Sequence, residues 1–352
     1  MSRKPRHVFS RRAALAGLAG AAYGLVRAGS AKAADGATVG TSAGPVFSQG
    51  GPDAEHYGAA ENYPIKDRWR FRQPGNPLSP KYRVGAFSHF DEIHPTRLIK
   101  RAATPSPFKR APADVSYTYK ATQSSLADYL SRNPVTGLLI AKDDKILFEH
   151  YQYGRTDRDR LISQSMVKSI TGMLIGIAIA EGAIKSVDDT AETYVPGLKG
   201  TEYGATPLRA LLHMSSGVDF GEERDNDRDL DRLWIDMVQS HWLAQKGTVA
   251  SIAQFNRRIA PPGTRFYYAS IEPDVLGLVL HNAVNKSASD YLHEKVWEPI
   301  GAEADAAWLV DAEGYEVAHF AFNAVLRDYA RLGRLLAHDG AWGASRSSRR
   351  NG

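Results

Sequence analysis

Apolar residues run almost without a break through residues 163–182, SQSMVKSITGMLIGIAIAEG, once the first few positions are passed. A helix that is apolar on every side belongs in a core, so this segment predicts the central buried helix of the fold. Other segments alternate or repeat at helical spacing. Thr136–Ala141 and Lys145–Tyr151 read as strands joined through Asp143-Asp144, a hairpin. Residues 124–132 predict a short helix, and Thr206-Pro207, a cap followed by a first-turn proline, opens another over LRALLHM. Helical patterns cover 228–244 and 273–284. Ala306–Val310 and Tyr315–Ala321 flank Glu313-Gly314 as a second hairpin, and 323–338 form an amphipathic helix. No internal repeat is present.

Residues 34–115 lack sustained periodicity and hold Pro-rich pieces such as QPGNPLSP and ATPSPFKRAP. They predict an irregular N-terminal arm. Its aromatics Trp69, Phe71, Phe87 and Phe90 predict packing on a main domain that spans residues 116–340. The final residues, 341–352, form a Ser/Arg-rich tail unlike anything before it.

The first 33 residues change how the charge is read. They combine a basic start, a modest Ala/Gly/Leu stretch, Ser10-Arg11-Arg12 ahead of Leu15, and Ala31-Lys32-Ala33 before Ala34. That is the pattern of a twin-arginine export signal, and Arg27 interrupts an apolar run already short for a membrane span. The formal charge is +5, but seven of the 44 basic residues lie in 1–33 with no acid. That leaves 37 bases against 39 acids, a net of −2. The mature chain gives no electrostatic case for nucleic acid, and its expected location is the periplasm or outside the cell. With no cysteine, disulfides and thiolate-bound metals are excluded.

Candidate chemistry begins inside the buried helix. Ser165 and Lys168 stand three residues apart and so share a helix face. A hydroxyl becomes a nucleophile when a base removes its proton, and a lysine among apolar neighbours has its pKa lowered because burial disfavours charge. Met166, Val167, Ile170, Met173 and Leu174 could supply such surroundings. Ser106-Pro107-Phe108-Lys109 repeats the letters, but in a proline-rich stretch that cannot present both side chains on a helix. A second motif, Tyr268-Ala269-Ser270, sits at a loop-to-helix junction about a hundred residues on. A tyrosine hydroxyl can relay a proton to a leaving amine or alcohol, and Ser270 can hydrogen-bond the lysine. Tyr129-Leu130-Ser131 is a decoy in a predicted helix ahead of the nucleophile.

With these motifs in order, the chain resembles the serine β-lactamase and penicillin-binding-protein superfamily. The resemblance runs from about residue 50 to 340 and rests on SQSMVKSITGMLIGIAIAEG, LRALLHMSSGV (208–218), PPGTRFYYAS (261–270) and FNAVLRDYARLGRLLAHDG (322–340). Tyr-x-Ser, in place of Tyr-x-Asn, is closest to the 6-aminohexanoate-dimer hydrolase group within the class C-like branch. The resemblance implies an α/β (α+β) fold: an antiparallel sheet flanked by helices, a mostly helical second region, and an active site between them. It implies a serine hydrolase for a small amide or ester, needing neither cofactor nor metal. Ser165 would be the acylated nucleophile, Lys168 its base and Tyr268 the proton relay. The sequence does not fix the oligomeric state.

The superfamily carries a third motif, Lys-Thr-Gly or His-x-Gly, on a later strand that also supplies an oxyanion-hole donor. No match in the right context is found. His338-Asp339-Gly340 ends an amphipathic helix, and His56-Tyr57-Gly58 precedes the nucleophile. The chain therefore reads as truncated, with C-terminal sheet strands missing, poor stability and weak turnover expected. The alternatives to an amide or ester hydrolase are a penicillin-recognising enzyme and a catalytically impaired remnant. Asp225, Asp227, Asp229 and Asp231 alternate like a calcium loop, but Leu230 stands where the loop needs glycine. They suit a helix N-terminus better. His89 and His94 read as packing or surface residues. His319 is a candidate substrate contact or a histidine on a strand face.

Overall fold

The computed structural model describes residues 44–60, 79–222, 228–237 and 247–342. The region read as an export signal, Trp69, Phe71, Asp225, Asp227 and residues 343–352 of the tail lie outside them.

Two main sheets organise the chain. In the first, β6 (Gly137–Lys142) and β7 (Lys145–Tyr151) form the expected hairpin, turning through Asp143 at φ 56°. β6 occupies one edge of β7 throughout. On the other edge β1 (Val46–Phe47) and β3 (Lys109–Arg110) pair in parallel with opposite ends of β7. The second sheet has the order β2 (Thr96–Ile99), β9 (Ala306–Leu309), β10 (Phe322–Ala324), β8 (Leu161–Ile162), all antiparallel. A separate hairpin joins β4 (Ser116–Tyr119) to β5 (Thr122–Ser125). Lys120 and Ala121 both have positive φ there, as the tight primed turn of a hairpin requires.

Helices cover these sheets. The segment read as an irregular arm supplies α1 (Arg83–Ile93) and strands β1 to β3, so it is woven into both sheets. α1 packs against β8 and β9, and its Asp91 accepts from Arg160 Nε at 2.7 Å, just ahead of β8. α2 (Leu126–Arg132) starts two residues later than expected, because Thr122–Ser125 is held extended by β4. Ser125 and Asp128 then close a reciprocal cap, with Ser125 Oγ accepting from Asp128 N–H at 3.1 Å and Asp128 Oδ2 from Ser125 N–H at 3.0 Å.

α3 (Val167–Ala180) is the apolar helix, and Val167, Ile170, Leu174, Ile175, Ile177 and Ala178 are buried along it. α4 (Leu208–Leu212) begins one residue later than expected. Pro207 holds the cap position, and the Thr206 hydroxyl donates to Glu202 O at 2.7 Å instead of capping the helix. α5 (Arg228–Met237) and α6 (Thr248–Ala253) pack on each other. α7 (Ile271–Val284) lies against α3 and α4 and is ended by Asn285 in the left-handed region, φ 51°. α8 (Ala288–Leu292) follows, and α9 (Leu326–Ala337) packs on β6. Arg327 of α9 reaches the buried Glu149 of β7 at 2.8 and 3.1 Å, tying the helix to the first sheet.

The second expected hairpin is partly different. β9 forms, but its ladder partners are β2 and β10 at 322–324, and 315–321 returns against it through one antiparallel bridge, Val310 to Glu316, without becoming a strand. The stretch 315–321 is a buried loop held by single contacts: Val317 N–H donates to Leu309 O, and Trp308 Nε1 to Val317 O, both at 2.9 Å. Its alternating pattern does not make a strand because the polar side chains also turn inward. Glu316 takes the N–H groups of Ala288 and Ser289 at the start of α8, each at 3.1 Å. The helix expected at 323–338 consequently starts at Leu326.

Candidate active site

Ser165 is presented by a sharp reversal between a strand and the core helix. β8 pairs through Ile162 and Leu161 with Asn323 and Ala324 of β10. Ser163 continues the register, donating N–H to Phe322 O at 2.7 Å while its hydroxyl accepts from Phe322 N–H at 3.2 Å. The chain then turns through Gln164 at φ 48°, a left-handed conformation that costs a non-glycine residue about 1–3 kcal/mol. One tight turn, Gln164–Met166, leads into α3. Ser165 sits half-buried on that turn, fixed by the sheet on one side and the core helix on the other.

Lys168 occupies the first turn of α3 with its Nζ 3.0 Å from Ser165 Oγ. The same nitrogen donates to the main-chain oxygen of His319 at 2.8 Å. It also lies over the Tyr268 ring, 5.1 Å from the centre. Burial lowers its pKa to about 8, against the opposing pull of the Glu222 and Asp274 carboxylates. A neutral amine has two N–H donors and one lone pair. Donating to His319 O leaves the lone pair available for the Ser165 hydroxyl proton.

The spacing-based pair of Ser165 and Lys168 is thus brought together, and Tyr268, half-buried, joins it from the segment ahead of α7. Ser270 is placed differently from the expectation. Its hydroxyl donates to Glu222 Oε1 at 2.6 Å and its N–H to the other oxygen of the same carboxylate. Among the described residues, Lys168 Nζ hydrogen-bonds Ser165 Oγ and His319 O. A carboxylate is a stronger acceptor than a neutral amine, which is why Ser270 turns to Glu222. His319 belongs to the buried loop, not a strand face. Its ring Nδ1 lies 2.7 Å from Asp274 Oδ2, and only its carbonyl oxygen reaches Lys168.

Asp274 and Glu222 were not singled out by the sequence. Asp274 left one signal, an acid in the first turn of a helix six residues beyond Tyr268. Glu222 left none. The decoys fall elsewhere. Ser106 gives its N–H to Gly301 O at 2.8 Å, while Lys109 on β3 faces Asp144 at 3.5 Å. Tyr129 and Ser131 lie in α2. His338-Asp339-Gly340 terminates α9, with Asp339 and Gly340 at φ 53° and 80°. Asp229 accepts from Gly221 N–H at 2.8 Å, and His89 pairs with Glu92 at 3.1 Å. His94 packs on Phe90, ring centres 4.9 Å apart. Among the described residues, no cluster of His, Asp or Glu side chains has the makings of a metal site.

A helix-flanked antiparallel sheet with Ser-x-x-Lys at the head of its buried helix is the fold of the serine β-lactamase and penicillin-binding-protein superfamily. The family model described as Beta-lactamase matches residues 125–349, more than half the chain, and the chain belongs to that family of serine hydrolases. It is 27% identical over 307 residues to the 6-aminohexanoate-dimer hydrolase of Paenarthrobacter ureafaciens, covering 83% of this chain and 72% of that protein. A solved structure from Bacillus anthracis, provisionally named a 6-aminohexanoate-dimer hydrolase, superposes with a TM-score of 0.69 at 23% identity. It covers 77% of this chain and 72% of its own, a likeness of fold.

Proposed function

We propose that the protein cleaves a small amide or ester through an acyl-enzyme on Ser165, with Lys168 as base and Tyr268 as proton relay. The observation that carries this reading is the 3.0 Å pair of Ser165 Oγ and a lysine whose pKa is lowered to about 8. Neutral Lys168 takes the hydroxyl proton as Ser165 Oγ bonds to the substrate carbonyl carbon and the carbonyl π pair moves onto oxygen. The Ser165 N–H, ahead of the N-terminus of α3, favours that negative charge. As the tetrahedral intermediate collapses, the bond to nitrogen or oxygen breaks and the leaving group takes a proton through Tyr268. Tyr268 gives its phenolic proton to the leaving group and is reprotonated by the Lys168 ammonium, whose nitrogen lies 5.1 Å from the ring centre, so lysine and tyrosine both return to their neutral forms. Neutral Lys168 then takes a proton from water as its oxygen attacks the acyl carbonyl, and on collapse the ester bond to Ser165 Oγ breaks and the Lys168 ammonium returns the proton to that oxygen.

The substrate class follows from the named relative. Its 6-aminohexanoate dimer is two alkyl chains joined by an amide, and we extend to this chain a short linear amide of that kind. Met166, beside the nucleophile, and Phe266, two residues before Tyr268, are large apolar side chains left exposed, which suits an alkyl chain. A fluorophosphonate probe followed by mass spectrometry of the labelled peptide tests the mechanism. Label is expected on Ser165 and should slow sharply in Lys168→Ala. Label on another serine, or on Ser165 at full rate without the lysine, sinks it. Nitrocefin turnover comparable to that of a linear amide would instead favour a penicillin-recognising enzyme.

We further propose export by the twin-arginine signal of residues 1–33, supported by its composition. N-terminal sequencing of protein from the periplasm should begin at Ala34, and an uncleaved cytoplasmic product would reject it. No described helix is long and apolar enough to cross a membrane.

A further inference from the structure

The group that holds Lys168 in place is a main-chain oxygen, and main-chain oxygens are aimed by whatever folds their loop. Asp274 lies in the first turn of α7 and is 3% exposed. Both its oxygens are committed to one dipeptide of the buried loop. Oδ1 accepts from Ala318 N–H at 3.0 Å, and Oδ2 lies 2.7 Å from His319 Nδ1. On α3, Thr171 Oγ1 approaches Ala318 O at 3.4 Å from the other side. One helical turn beyond Asp274, Gly277 permits the close approach: a Cβ there would stand 3.0 Å from that of Ala318. The dipeptide is therefore gripped between α7 and α3, and the His319 carbonyl is left pointing at Lys168 Nζ, 2.8 Å away.

We propose that Asp274 is a positioning residue for catalysis: by clamping Ala318 N–H and the His319 ring, it aims the His319 carbonyl that orients Lys168 against Ser165. This rests on the reading of Lys168 as the base. The carbonyl takes one N–H of the neutral amine, which turns its lone pair toward the serine. The same α7 segment follows Tyr268 directly, so one stretch of chain sets both the relay and the acceptor that orients the base. Among the described residues, the ionisable groups facing Lys168 are Asp274 from α7, Glu222 from the segment before α5, His319 from the loop and Tyr268. Loss of the Asp274 charge alone should therefore move the lysine pKa down, since that carboxylate pulls it up.

The test is Asp274→Asn in the full chain, assayed as kcat and KM for p-nitrophenyl acetate across pH. The expected result is a fall in kcat of about ten- to a hundredfold with KM changed less than about threefold, and an acidic limb displaced to lower pH. His319→Ala keeps both the carbonyl and the carboxylate and removes only the ring. It should lose about three- to tenfold in kcat, with no downward displacement of the limb. A folded Asp274→Asn enzyme with wild-type kcat and an unmoved limb overturns the proposal. If that variant does not fold, wild-type kcat in His319→Ala overturns it. An undiminished rate in Lys168→Ala removes the base itself, and the clamp falls with it. Loss in Lys168→Ala together with an unchanged Asp274→Asn refutes the clamp alone.

Discussion

Burying Lys168 has a consequence that can be measured as a rate. A lysine at its ordinary pKa of 10.5 is neutral to only about 0.03% at pH 7, whereas one at about 8 is neutral to about 10%. The gain in the reactive form is about 300-fold, equivalent to about 3.4 kcal/mol. If the neutral amine is the base, kcat/KM for an activated ester should rise about 50-fold between about pH 6 and about pH 8 and level off by about pH 9, following the free enzyme's titration. The assay is initial-rate hydrolysis of p-nitrophenyl acetate over that range, corrected for hydroxide, beside Lys168→Ala. Loss of the lysine should flatten the acidic limb and cost about a hundred- to ten-thousandfold in rate. A limb still climbing past about pH 10 would show a lysine at its ordinary pKa and refute the reasoning. A limb that survives Lys168→Ala would assign the titration to another group.

The same burial should appear in stability. Lys168 is held below its ordinary pKa, so the unfolded chain binds the extra proton between about 8 and 10.5. Stability therefore rises with pH across that window, and wild type should gain on Lys168→Met by up to about 3 kcal/mol in urea unfolding. Glu272 runs the opposite way. Burial raises its pKa to about 8, so stability is lost as pH rises from its ordinary 4.5 through that value. Glu272→Gln should raise Tm at about pH 9 and leave it little changed at about pH 5; equal effects at both would contradict the buried acid. Tyr268→Phe should lower amide turnover by about a hundred- to ten-thousandfold but p-nitrophenyl ester turnover far less, because that leaving group needs no proton; equal losses would remove the relay. Glu149 is fully buried and receives Arg327, Arg110 and the Tyr151 hydroxyl. Glu149→Ala should destabilise by about 3–5 kcal/mol in denaturant unfolding, and a change below about 1 kcal/mol would show the cluster to be dispensable.

What could be read along the chain was whatever a segment determines by itself. The apolar run of α3 can only be a core helix, and the alternation on either side of Asp143 can only be a hairpin. Ser165 and Lys168 were legible because three residues on a helix fix a distance. Strands of two to four residues, such as β8 and β2, owe their identity to partners far along the chain, Asn323 and Ala324 for one and β9 for the other. For the same reason the alternation of 315–321 does not become a strand: Glu316 and His319 have partners on other elements. Nothing local to Ser270 announces its partner Glu222, 48 residues earlier, and the motif alone points its hydroxyl at the lysine. Asp274 was visible only as an acid at a helix start, where a capping or dipole role is the ordinary explanation.

That the acceptor on Lys168 is an amide oxygen of the chain also decides what a mutational scan would find. Every amino acid has a carbonyl, so no substitution at 319 deletes the atom that matters there. A scan would record at 319 only the moderate loss that comes from its ring, and larger losses at 274 and 277, two positions that never touch Ser165. Variation at 319 would then understate the contact it makes to the base, and most of the record of that contact would be written in the residues that bend the loop.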